Sequence, residues 1–82
     1  MSTEALANST SPIGDEIRRV RTELDLTIQQ LARRTGIPWQ TLQAYETGRT
    51  VPPSDRLLVI LHAVRKAPEP FRWARVARAL AA

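Results

Sequence analysis

The chain has no cysteine and a single histidine, His62. A disulfide framework and cysteine-built zinc sites are therefore excluded, and a histidine-built metal site or catalytic dyad lacks its parts. No apolar stretch approaches the roughly 20 residues needed to span a bilayer. The first twelve residues hold neither a basic cluster nor an apolar run, so they do not read as a secretory signal. Paired carboxylates, a nucleophile–base set and a phosphate loop are missing too, which leaves an enzymatic reading without support. These absences predict a soluble cytoplasmic protein with no cofactor, no metal and no membrane partner.

Lysine is also scarce. Eleven of the twelve basic residues are arginine, Lys66 being the exception, and the net charge is +4. Arginine presents a planar fork that suits phosphate and guanine. An arginine-for-lysine bias also follows from a GC-rich genome, so charge alone does not decide the partner. With 82 residues the chain makes one domain. A domain this small buries only roughly 60% of its unfolded surface and needs a simple core.

No strand candidate and no internal repeat is visible, and the pattern is helical throughout. Residues 1–12 are polar and Ser/Thr-rich and read as a flexible tail. The tail has no Lys or Arg, which makes it a poor arm for a minor groove. From Ile13, a first helix carries Ile17, Val20, Arg21 and Leu24 on one stripe and stops near Asp25. Arg21 is a charge on an apolar face and requires a buried carboxylate partner. Thr27 and Gln30 form a capping box that opens a second helix, Ile28 to Thr35, which buries Leu31 and Ala32. Gly36 ends it in a left-handed conformation. Ile37 is held extended by Pro38, which opens a third helix to about Thr47.

Leu42 and Tyr45 point this third helix inward, and Gly48 stops it. After a loop at 49–53, a fourth helix begins at Pro53 or Ser54. Leu57, Leu58, Ile60, Leu61 and Val64 make it apolar over most of its circumference, predicting that it is the central buried helix. Pro68 and Pro70 break the chain before a fifth helix, roughly Pro70 to Ala81. That helix sets Trp73, Val76, Ala77 and Leu80 on one side and Arg72, Arg75 and Arg78 near another. The predicted class is all-α, five helices, divided into a tail at 1–12, a domain at 13–66 and a C-terminal helix at 67–82.

Ala32, Gly36 and Leu42 are spaced as a helix-turn-helix requires: a small residue where helices cross, a glycine at the turn, and an apolar anchor beyond it. The ordered set Ile13-Gly14-x-x-Ile17-Arg18-x-x-Arg21, Leu31-Ala32-x-x-x-Gly36-Ile37, Tyr45-Glu46-x-Gly48-Arg49, Pro52 and Leu57/Leu61 resembles the Cro/cI-type (XRE-like) helix-turn-helix family of phage repressors and bacterial regulators. The resemblance covers Ile13 to about Val64 and implies a lambda-repressor-like fold. It also implies that Arg21 pairs with Glu46.

The resemblance further implies a transcriptional regulator, a repressor in the first instance, that reads double-stranded DNA through the helix at 38–47. Its base-contacting candidates are Trp39, Gln40, Gln43 and Ala44. Glutamine can pair with adenine N6 and N7, and alanine can touch a thymine methyl. Trp39 has two readings: packing on DNA, or folding back against Ile37 and the second helix. Backbone-contact candidates are Thr27, Gln29, Arg33, Arg34, Thr47, Arg49 and Thr50. Two departures stand out: Ile28 replaces the glutamine that relatives place on a phosphate, and Pro38 replaces their Ser or Thr cap.

Phe71, Trp73, Val76 and Leu80 form a large apolar set for a terminal helix. They read either as closing the core or as the contact of a homodimer on a palindromic operator. The competing function is an antitoxin-type interaction module, autoregulatory on DNA, whose C-terminal helix holds a protein partner.

Overall fold

The computed structural model describes residues 11–69, 71–74, 76 and 77. Among these residues four helices form: α1 (Pro12–Glu23), α2 (Ile28–Thr35), α3 (Trp39–Thr47) and α4 (Ser54–Ala63). No strand occurs among the described residues. No described helix is long and apolar enough to cross a membrane.

Ser11 caps α1 and Pro12 takes its first turn, where a missing N–H costs nothing. The helix thus takes in Pro12, which the sequence assigned to a tail; residues 1–10 lie outside those described. The stripe on α1 is buried as its spacing dictates, with Ile17 and Val20 essentially inaccessible. The chain then reverses through Asp25 in the left-handed region, φ 56°. This short polar side chain tolerates that conformation better than most. The turn drops Leu26 into the core, and its N–H donates to the Arg21 carbonyl at 3.1 Å.

α1 packs chiefly on α3, α3 on α2, and α2 on α4. Ile17, Leu31, Leu42 and Ile60, one from each helix, are fully buried where these contacts converge. Each such side chain supplies about 1.5–3 kcal/mol relative to exposure.

Two expectations change. α4 is not the central buried helix: Ile60 and Val64 face inward, but Leu58 is 66% exposed and Val59 43%. A helix apolar around most of its circumference can still have neighbours on one side only, and the principal helix neighbour of α4 is α2. The segment after α4 returns to the core. Phe71 packs against the core, and Val76, read from the sequence as either closing the core or meeting a second copy, is buried within its own chain. Trp73 remains 48% exposed, its ring centroid 4.6 Å from that of Phe71. Trp73, Ala74, Val76 and Ala77 have helical backbone. The rest of the predicted fifth helix, including Leu80, Arg75 and Arg78, lies outside the described residues, among which four helices are established and a fifth is not.

Glu16 had no place in the sequence reading, yet it is fully buried on α1. Its Oε1 accepts from Arg19 Nη2 at 2.8 Å, from Arg19 Nε at 3.2 Å and from the backbone N–H of Arg72 at 3.0 Å. Burial alone would push this carboxyl up, but the Arg19 and Arg72 hydrogen bonds and charges outweigh it and hold the pKa below the ordinary range. The bond to Glu16, with a second to Glu23, raises that of Arg19. Arg19 also reaches Glu23 at 2.8 Å and Glu69 at 3.6 Å, so the segment after α4 is tied to α1 through this cluster.

Candidate nucleic-acid interface

The capping box at the start of α2 forms reciprocally. Gln30 N–H donates to Thr27 Oγ1 at 3.0 Å, and Thr27 N–H to Gln30 Oε1 at 2.8 Å. The helix closes at Gly36, φ 75°, whose N–H donates to the Ala32 carbonyl at 2.8 Å. Thr35 adds a brace not foreseen from the sequence. Its hydroxyl donates to the Leu31 carbonyl at 2.9 Å and accepts from Ile37 N–H at 3.2 Å. A threonine at the end of a helix, just before a glycine turn, is the signal that could have found it.

Ile37 is buried, and Pro38 sits outside α3 as its cap residue with φ −57° and ψ 142°. Pro38 offers no side-chain cap, so the first turn of α3 relies on packing for its placement. Leu42 and Tyr45 anchor it, being 0% and 5% exposed.

The opposite face of α3 is open. Gln40, Gln43 and Thr47 are exposed, while Ala44 is half-buried. Trp39 keeps 39% exposure and lines a cleft with Gln29, Ala32, Arg33 and Ile37. It therefore leans on α2 while retaining an open part. Thr47 donates its hydroxyl back to the Gln43 carbonyl at 3.0 Å, leaving only acceptor capacity outward.

The orientation of α3 is held by Arg21. Its Nε donates to Glu46 Oε2 at 2.7 Å and its Nη2 to Oε1 at 3.0 Å. Its Nη1 donates to the Leu26 carbonyl at 2.8 Å. Both side chains are largely buried, and this fork joins α1 to the last turn of α3. Gly14, two turns earlier on the same face of α1, permits the close approach of the two helices. A Cβ there would strike the carbonyl oxygens of Tyr45 and Glu46.

Beyond Gly48, φ 83°, the chain folds back on α3. The N–H groups of Arg49 and Thr50 donate to the Ala44 carbonyl at 2.9 and 3.3 Å. These N–H groups thus close the helix end, while the side chains of Arg49 and Thr50 stay exposed.

Arg33 and Arg34, adjacent in sequence, share a depression with Leu26 and Gln30 and diverge on either side of it. Arg33 borders the cleft with Trp39 and Gln40. Arg34 lines a depression on the α4 side with Leu58, Val59 and His62. Arg18 stands on α1, outside its apolar stripe. It is exposed, makes no hydrogen bond or ion pair among the described residues, and shares a groove with Thr27, Ile28, Gln43 and Thr47. The basic residues Arg18 and Arg33 thus flank the α3 face on two sides. Among the described residues no group of three or more potential metal ligands is gathered.

Two curated proteins are similar. Repressor protein C of Escherichia phage P2 is 45% identical over 49 residues, covering 60% of this chain and 50% of that protein. An uncharacterized transcriptional regulator in the ATPase CF(0) region of Rhodospirillum rubrum is 40% identical over 52 residues, covering 63% and 48%. The chain spans about half the length of these relatives. No solved structure gives a significant match. A helix-turn-helix family model matches residues 17–71, which takes in α1 to α4 from Ile17 onward. The chain belongs to the Cro/cI-type helix-turn-helix family.

Proposed function

We propose that the chain is a sequence-specific, double-stranded DNA-binding transcriptional regulator, acting as a repressor and binding as a homodimer to a palindromic operator. The observation that carries this reading is the two-sidedness of α3. Leu42 and Tyr45 are locked in the core and Glu46 in the Arg21 fork, while Gln40 and Gln43 stand exposed between flanking arginines. A helix fixed this firmly presents its outer face to the major groove as a rigid unit.

In this reading Gln40 and Gln43 bond base edges, with Ala44 and the open part of Trp39 in apolar contact. Arg18, Arg33, Gln29, Arg49, Thr50, Thr47 and the start of α2 at Thr27 face phosphates. Repression follows from occupying the operator. The antitoxin-type alternative needs a C-terminal segment free to hold a partner, and the burial of Val76 and the packing of Phe71 favour the regulator.

Selection of bound sequences from a random duplex pool tests this. An enriched inverted repeat with half-sites about one helical turn apart is expected. Recovery of no preferred sequence would overturn sequence-specific reading.

A further inference from the structure

On α4, Asp55, Leu58, Val59 and His62 follow the spacing i, i+3, i+4, i+7 and so share one stripe. All four are exposed, and the stripe points away from buried Ile60 and Val64. Leu58, Val59 and His62, with Ala63, Arg65 and Arg34, line a shallow depression. Two adjacent apolar side chains of which Leu58 is two-thirds exposed are a surface that gains by being covered.

The polar residues along the stripe are arranged symmetrically. Asp55 stands one turn before the apolar pair and His62 one turn after it, with Arg65 and Lys66 beyond His62. We infer that this stripe docks a second copy of the chain, the two α4 helices packing antiparallel about a two-fold axis between Leu58 and Val59. The inference rests on the dimeric reading above and assigns its surface.

Under that symmetry Leu58 enters the depression beside the partner's Val59, and Asp55 meets the partner's His62, once at each end. The contact is isologous and closes at two subunits. Parallel pairing would instead set Asp55 beside the partner's Asp55 and basic residues beside basic residues. Antiparallel packing also places each helix dipole head to tail with its neighbour. An unrelated occupant would have no reason to match an acid–apolar–apolar–base order that is its own complement when reversed. The patch is small, so the dimer belongs to the weak, concentration-dependent class below about 1,200 Å² of buried surface.

Because the chain has no cysteine, an introduced one is its only thiol. L58C and V59C are expected to form disulfide-linked dimers under mild oxidation without DNA. Q29C, exposed on α2, should do so at least about tenfold more slowly. By sedimentation equilibrium, D55K and H62E should each weaken the dimer about tenfold. The double variant D55K/H62E reverses the acid–base order and should restore it, with melting temperatures reporting that all variants are folded.

Equal cross-linking at Gln29, or no restoration in the double variant, would overturn the α4 interface. So would the absence of cross-links at 58 and 59, as when residues 78–82 of the same chain cover the stripe. A wild-type dimer indifferent to all these changes would leave the dimeric reading standing and place its contact elsewhere. A chain that stays monomeric in solution and fills one half-site on DNA would remove both.

Discussion

Arg21 on α1 and Glu46 in the last turn of α3 are joined by two charge-assisted hydrogen bonds, 2.7 and 3.0 Å long. The pair lies between segments 25 residues apart, so it orders the fold around the helix whose face is the proposed reading surface. A buried pair need not stabilise more than apolar residues of the same volume, but losing one member strands the other.

Glu46→Ala is therefore expected to cost about 3–5 kcal/mol, lowering the melting temperature by on the order of 15–30 °C. Replacing both residues by apolar ones of similar size should cost less than either single truncation. Thermal and urea unfolding of the three variants check this. A melting temperature unchanged in Glu46→Ala would show that the pair is dispensable.

Glu16 makes stability depend on acid. Its folded pKa is lowered, so the native state holds on to fewer protons than the unfolded chain as the pH falls. Its contribution is complete above the unfolded value of about 4.3 and is lost as pH drops through the lower folded value. The urea midpoint of the wild type is expected to stay level from neutrality to about pH 5, then fall. Glu16→Gln should be less stable at neutral pH and show a shallower acid limb. Parallel acid limbs in the two proteins would disprove the assignment.

Gly14 and Gly36 are required for different reasons, and substitution separates them. Any Cβ at Gly14 meets the backbone of Tyr45 and Glu46, whereas Gly36 has open space but a φ of 75°. Alanine should cost roughly 1–3 kcal/mol at Gly14 by overpacking and about 1–2 kcal/mol at Gly36 by conformation. Asparagine tolerates the left-handed region and should recover much of the loss at Gly36 while worsening Gly14. Unfolding curves of the four variants decide the matter.

Gln40→Ala and Gln43→Ala should leave the melting temperature nearly unchanged, since both side chains are exposed. Each should cost roughly 1–3 kcal/mol in discrimination between the selected site and a base-pair variant. Equal affinities for both duplexes in the wild type would end the base-reading assignment.

Phosphate contacts have a different signature. Arg18→Ala, Arg33→Ala and Arg49→Ala should weaken binding across sequences and reduce the slope of log affinity against log salt by about 0.9 each. Arg34→Ala, on the α4 side, should leave that slope unaltered. A slope change at Arg34 equal to that at Arg33 would contradict the separation of the two side chains.

What the amino-acid order determined by itself was local. The bounds of α2, the Thr27–Gln30 box and the stops at Gly36 and Gly48 follow from neighbours three or four residues apart. The same short range made Leu42 and Tyr45 legible as the inner face of α3, and with it Gln40 and Gln43 as the outer one. Arg21 declared its need for a carboxylate by sitting on an apolar stripe, and the family resemblance pointed to Glu46. Tertiary structure decided everything that depends on which helix lies next to which. Periodicity describes the circumference of α4 but not how much of it is covered, so Leu58 and Val59 came out exposed. It could not divide Arg33 from Arg34, place Arg18 beside Gln43, or bring the backbone of Arg72 to Glu16. Those relations come from packing between distant segments, where the helices' mutual placement, and no rule of spacing, sets each side chain's surroundings.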